Sequence, residues 1–164
     1  MGKVYTLSEL VAQRQSWKTQ NKKVVFTNGV FDILHRGHAE YLAASKFLGD
    51  ILIVAINSDA SVKRVKGRLR PVVIETDRAF LVSQLISVDA VCIFEEDTPL
   101  EVISALLPDI LIKGADWEIE NVVGKDVVEA SGGKVLTIPL VPGRSTTNII
   151  ERITERFCGK EKIA

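Results

Sequence analysis

The sequence predicts an α/β fold, a Rossmann-like three-layer sandwich around a five-stranded parallel sheet. Three observations carry this. Short apolar runs rich in Val, Ile and Leu recur at residues 22–27, 50–56, 90–94, 110–113 and 134–139, unbroken as strands buried on both faces are. Helical start and stop signals fill the intervals, and strands alternating with helices at this spacing form a parallel sheet covered on both sides. Polar, glycine-containing segments follow several of the runs, at the sheet edge where such folds bind ligands.

Thr6-Leu7-Ser8-Glu9 has the form of a capping box and predicts a helix over residues 7–15. The strand at 22–27 leads to Gly29, which permits a tight turn. From His38 the chain reads as a helix, with Tyr41, Leu42, Ser45 and Leu48 on one face and Gly49 as its stop. After the strand at 50–56, residues 57–70 read as a polar, basic loop holding Lys63, Arg64, Lys66, Arg68 and Arg70, closed by Pro71. Thr76 or Asp77 caps a helix reaching Ser87. The strand at 90–94 is followed by Thr98 as an N-cap, with Pro99 at the first helical position and the helix ending before Pro108. Beyond the strand at 110–113 come a helix over 122–130, the Ser131-Gly132-Gly133 turn and the strand at 134–139. Ser145 to Asn148 starts a last helix, running to Phe157. The expectation is one domain over 1–164, with its core at about 20–157 and the helix at 7–15 outside it.

Composition bounds the function without naming it. At 46% hydrophobic and 26% charged, the chain is ordinary for a soluble globular protein. Its net charge of zero gives no global electrostatic case for nucleic-acid or membrane partners. Cys92 and Cys158 form no disulfide framework, so a reducing cytoplasmic setting is expected, and no signal peptide or apolar run of transmembrane length is seen.

The chemistry concentrates between Thr27 and His38. His35 and His38, the only two histidines, flank Gly37 where a strand gives way to a helix. Three residues apart in a helical turn, both rings could donate to one anion beside the free N–H groups of the helix start. No cysteine lies nearby and Asp32 is the one obvious carboxylate, so no metal site is expected. A charge run is usually a solvated face, yet this basic segment directly follows a strand end. Lys63 and Lys66 are both candidates to follow the charge of a reacting polyphosphate. Asp116 could accept from a base amine or a ribose hydroxyl, and Trp117 could stack; the plainer alternative is a turn aspartate and a packing tryptophan. Ser145, Thr146 and Thr147 at a helix start offer a phosphate cradle, although a simple N-cap needs only one of them.

Gly29-Val30-Phe31-Asp32-Ile33-Leu34-His35-Arg36-Gly37-His38 resembles the G-x-F-D-x-x-H-x-G-H signature of the nucleotidyltransferase superfamily. Class I aminoacyl-tRNA synthetases share H-x-G-H, but this chain lacks their Lys-Met-Ser-Lys-Ser motif. Lys113-Gly114-Ala115-Asp116-Trp117 is similar to the superfamily's K-G-x-D-[YW] element, and Ser145 to Ile149 to its S-T-T-x-I motif. The resemblance implies that His35 and His38 hold the triphosphate of ATP or CTP, with Lys63 or Lys66 catalytic beside them. It places Thr27, Asn28, Gly29, Phe31, Asp32, Gly37, Lys113, Gly114, Asp116, Trp117, Ser145, Thr146 and Thr147 on the nucleotide, and Asp32, Arg78 and Arg144 on the second substrate.

Cytidylyltransferases usually carry Arg-Thr-x-Gly-Ile-Ser-Thr-Thr, whereas Leu140 stands at that arginine's place and Arg144 falls in another register. Residues 25–32, 94–99 and 143–150 are most similar to adenylyltransferases that join ATP to heptose 1-phosphate for lipopolysaccharide precursors. The resemblance then implies Mg²⁺ travelling with ATP, small-molecule substrates and a separate sugar kinase, because such domains are often fused to one. Apolar helix faces are compatible with a homodimer. Two rival expectations stand: a cytidylyltransferase for an alcohol phosphate such as glycerol 3-phosphate, and a non-catalytic nucleotide-binding module.

Overall fold

A computed structural model describes residues 2–158; Met1 and residues 159–164 of the expected domain lie outside the described residues. The sheet is parallel throughout but has six strands rather than five: β1 (Lys3–Tyr5), β2 (Val24–Gly29), β3 (Ile51–Asn57), β4 (Ala90–Phe94), β5 (Ile110–Gly114) and β6 (Lys134–Ile138), in the order β1-β4-β3-β2-β5-β6. The unexpected strand is the edge strand β1, which pairs with β4 from Lys3 opposite Ala90 to Tyr5 opposite Cys92. Three residues are too few to show a strand's period in sequence.

From the central β2 the chain winds outward through β3 and β4, then returns to β5 on the other side. The reversal between β2 and β5 opens a crevice above their carboxyl ends. Alternate residues divide the core. Val24 and Phe26 join Ile53, Cys92 and Leu111 on one face, while Val25 joins Leu52, Val54 and Ile112 on the other.

The helices correct several boundaries. α1 (Leu7–Thr19) is longer than expected, and its capping box is present: Glu9 N–H donates to Thr6 Oγ1 at 3.3 Å, and Thr6 N–H donates to the Glu9 carboxylate at 2.8 Å. α2 (Arg36–Lys46) starts two residues before His38, with His35 as its N-cap. The basic segment is not a loop: α3 (Asp59–Lys66) is capped by Ser58, which accepts from Ser61 N–H, and anchored by buried Val62. The surrounding charges obscure that single apolar anchor in the sequence. α4 (Glu75–Ser83) has Ile74 at its N-cap and no side-chain cap, so neither Thr76 nor Asp77 fills that role, and it ends before Ser87. α5 (Leu100–Leu106) begins after Pro99, which occupies the cap position itself. A 3-10 turn (Ile119–Asn121) and the left-handed Gly124 delay α6 (Lys125–Ala130). α7 (Thr146–Phe157) starts at the Ser145 cap, as expected.

Candidate active site

β2 delivers the chain to the crevice at Gly29, and the next residues turn sharply. Phe31 has φ 49°, in the left-handed region that an aromatic residue rarely adopts, and only 5% of it is exposed. That turn lays its ring over Gly29, where a Cβ would come within 3.0 Å of it. Phe31 then supports His38, with ring centroids 5.0 Å apart at 58°. His35 and His38 stack face to face, 3.8 Å between centroids and 21° between planes. A side chain at Gly37 would meet the His35 ring at 3.1 Å and Arg144 Cβ at 3.2 Å.

Both Nδ1 atoms are buried and without a hydrogen-bond partner. A proton on Nδ1 would be a buried donor with no acceptor, so each neutral ring carries its proton on Nε2. Burial pushes His38 down to about 4, with His35 beside it adding to the effect. His35 is also lowered, first by burial and then by the Arg144 guanidinium. The empty site therefore presents two neutral N–H donors on one side of a cavity of about 280 Å³.

Across that cavity, Lys113 Nζ donates to Asn28 Oδ1 and lies 5.5 Å from the centre of the Trp117 ring. Burial lowers Lys113 to about 8, against the opposing pull of Asp116. A Cβ on Gly114 would sit 2.5 Å from Asp116 Oδ1 and 3.1 Å from Leu140, so a bare Cα is needed for both side chains to reach the cavity. Ser145, Thr146 and Arg144 complete the wall near the histidines. Tyr41, Leu140 and Val141 also line it and were not assigned to the site from sequence. Tyr41 reads there as a helix-face residue, and the other two carry no chemical signal.

Five expected site residues lie elsewhere. Thr27 is fully buried; its hydroxyl and that of Tyr41 hydrogen-bond at 2.8 Å. Thr147 is exposed on α7 beyond the cavity lining. Asp32 is 2% exposed, and its carboxylate accepts from Arg70 and from the N–H groups of Val72 and Val73. Arg78 is fully buried, donating to the carbonyls of Val73, Val30 and Asn57 and to Asp59. Asp32 and Arg78 are both buried away from either cavity's lining, and most of their hydrogen-bonding capacity goes to the protein itself. Lys63 is exposed and lines neither large cavity. Lys66 does line one, a neighbouring hollow of about 410 Å³.

A reversal of strand order, a left-handed aromatic turn and two stacked imidazoles at a helix start together make up a crevice with the features of a nucleotidyltransferase. The chain belongs to the cytidylyltransferase-like family, which it matches over residues 26–152. Among its relatives, it is 54% identical to the bifunctional protein HldE of Trichlorobacter lovleyi over 94% of this chain, and 55% identical to HldE of Syntrophotalea carbinolica over 85%. It spans 31% and 29% of those two proteins' lengths. The crystal structure of a lipopolysaccharide core biosynthesis protein from Thermoplasma volcanium is similar at 32% identity and a TM-score of 0.60, covering 73% of this chain and 97% of that one.

Proposed function

We propose that this chain is an adenylyltransferase that joins ATP and a sugar 1-phosphate, D-glycero-β-D-manno-heptose 1-phosphate, to give an ADP-sugar and pyrophosphate for lipopolysaccharide core precursors. The observation that carries the reading is the stacked His35–His38 pair, whose buried Nδ1 atoms leave Nε2–H as the donor of each ring. Similarity to HldE proteins and to a lipopolysaccharide core biosynthesis protein supports the choice of substrate. Leu140 supports ATP over CTP: it puts an aliphatic side chain on the cavity wall where cytidylyltransferases usually carry arginine.

The phosphate of the sugar is ionised at neutral pH, so the reaction needs no general base; alignment and charge stabilisation suffice. A sugar-phosphate oxygen bonds to the α-phosphorus, the bond to the bridging oxygen breaks, and pyrophosphate leaves with the electron pair. His35 and His38 donate to the triphosphate, and Lys66, rather than Lys63, is the lysine of the basic helix that lines a cavity. Asp116 and Trp117 contact the base and ribose. Mg²⁺ would neutralise phosphate charge, held mainly by phosphate oxygens and water, as suits a donor set in which no three acidic, histidine or cysteine side chains converge among the described residues.

The test is pyrophosphate release from each of the four NTPs with a panel of sugar 1-phosphates and glycerol 3-phosphate. Release with ATP and heptose 1-phosphate is expected. Preference for CTP and glycerol 3-phosphate would replace this assignment, and no release with any acceptor would leave a binding module.

A further inference from the structure

The second hollow adjoins the first. Both are lined by Asn28, Gly29, Val30, Lys113 and Trp117, and Lys113 is the one charged side chain common to them. Its ammonium is fixed there by Asn28 Oδ1 and the Trp117 ring. Residues lining only the second hollow include Asn57, Lys66, Asp97 and Thr98.

The acidic wall of that hollow is built before any ligand arrives. Ser61 Oγ donates to the Glu96 carbonyl at 2.7 Å, and Arg64 Nε donates to Asp97 Oδ1 at 2.6 Å, fastening the turn after β4 onto α3. One carboxylate oxygen of Asp97 is thus held, and the other has no hydrogen-bond partner among the described residues. Asn57 likewise donates from Nδ2 to Ser61 Oγ at 3.0 Å, and its Oδ1 accepts from no group among the described residues. Hydroxyl donors suit these acceptors, and an anion suits the two lysines.

We propose that the second hollow receives the phosphorylated sugar, with Lys113 touching the phosphates on both sides of the transfer and Asp97 and Asn57 accepting from the sugar's hydroxyls. This rests on the adenylyltransferase reading. An in-line displacement needs its phosphorus reachable from both ligands' pockets, and a cation shared by the two is placed to follow the charge as the bond to the leaving oxygen breaks. Asp97 then decides which polyol is accepted.

The test is calorimetric titration of the full chain with α,β-methylene-ATP and with heptose 1-phosphate, separately and together, for wild type, Asp97→Ala and Lys113→Met. Wild type is expected to hold both ligands at once. Asp97→Ala should weaken heptose 1-phosphate at least tenfold and leave the ATP analogue within twofold; Lys113→Met should weaken both. The proposal is overturned if the two ligands displace each other, if the sugar phosphate does not bind, or if Asp97→Ala changes only the analogue or neither ligand. Joint binding lost in Asp97→Ala, together with no pyrophosphate release from ATP, would support the pocket assignment while refuting the transferase reading.

Discussion

Asp32 and Arg70 form an ion pair in which the carboxylate side chain has no exposed surface, and the same carboxylate accepts the backbone N–H groups of Val72 and Val73, each at 2.8 Å. Removing the carboxylate strands two backbone donors and an arginine at once. Asp32→Ala should therefore destabilise the fold by about 3 kcal/mol, the scale of a broken buried pair. Urea denaturation would show it as a lower midpoint at unchanged slope. A wild-type midpoint with a raised KM would make Asp32 a substrate ligand instead.

Removing His38 is expected to act chiefly on turnover at neutral pH. Its ring stacks on His35 but makes no hydrogen bond through Nδ1, so His38→Ala removes a phosphate donor without breaking a structural contact of that kind. Loss of one preorganised donor costs about 10²–10³ in kcat. Steady-state pyrophosphate release, alongside a melting curve showing the variant folded, checks this; near-normal turnover would remove the histidine from the mechanism.

The same residue makes stability depend on pH. In the folded protein His38 titrates at about 4, whereas an unfolded chain takes up that proton near pH 6.5. Between those values the unfolded state binds more protons, so stability falls as pH drops through the window and is unaffected by this group above it. The loss approaches roughly 3 kcal/mol once pH passes below the folded value. Urea midpoints from pH 7 to 4 should be flatter for His38→Asn than for wild type. Triphosphate should shrink the difference by favouring the protonated ring.

Lys113 sets the opposite limb. Burial leaves it charged only below about 8 in the empty site, so kcat/KM for ATP should decline as pH rises past that value. Arginine stays protonated throughout this range. Lys113→Arg should therefore lose the alkaline decline, whatever its absolute rate. A pH profile of the same shape in both proteins would mean another group controls it.

What the sequence revealed tracks what is local. Val24 to Gly29 and Ile51 to Asn57 are apolar on both faces, and Thr6 with Glu9 forms its cap within four residues, so these elements were legible. His35, Gly37 and His38 pack together because they are neighbours in the chain. The burial of Asp32 and Arg78 was not legible because a charged residue is ordinarily at the surface, and their partners Arg70 and Val30 lie 38 and 48 positions away. Lys63 and Lys66 could not be told apart in sequence because only the winding of residues 59–66 into a helix puts Lys66, and not Lys63, on the lining of the hollow.

Arg78 ties together four stations of the chain: Val30 beyond β2, Asn57 at the end of β3, Asp59 in α3 and Val73 before α4. Two of them, Val30 and Asn57, are also walls of the second hollow. Spreading that hollow would tear a guanidinium from its carbonyls with no water to replace them. The segment from Gly67 to Val73 is pinned by Arg70, Val72 and Val73 to Asp32, while ahead of them Leu69 is 86% exposed and a Cβ on Gly67 would meet nothing within 4 Å. A hollow whose walls are fixed in this way loses little ordering entropy when something enters it.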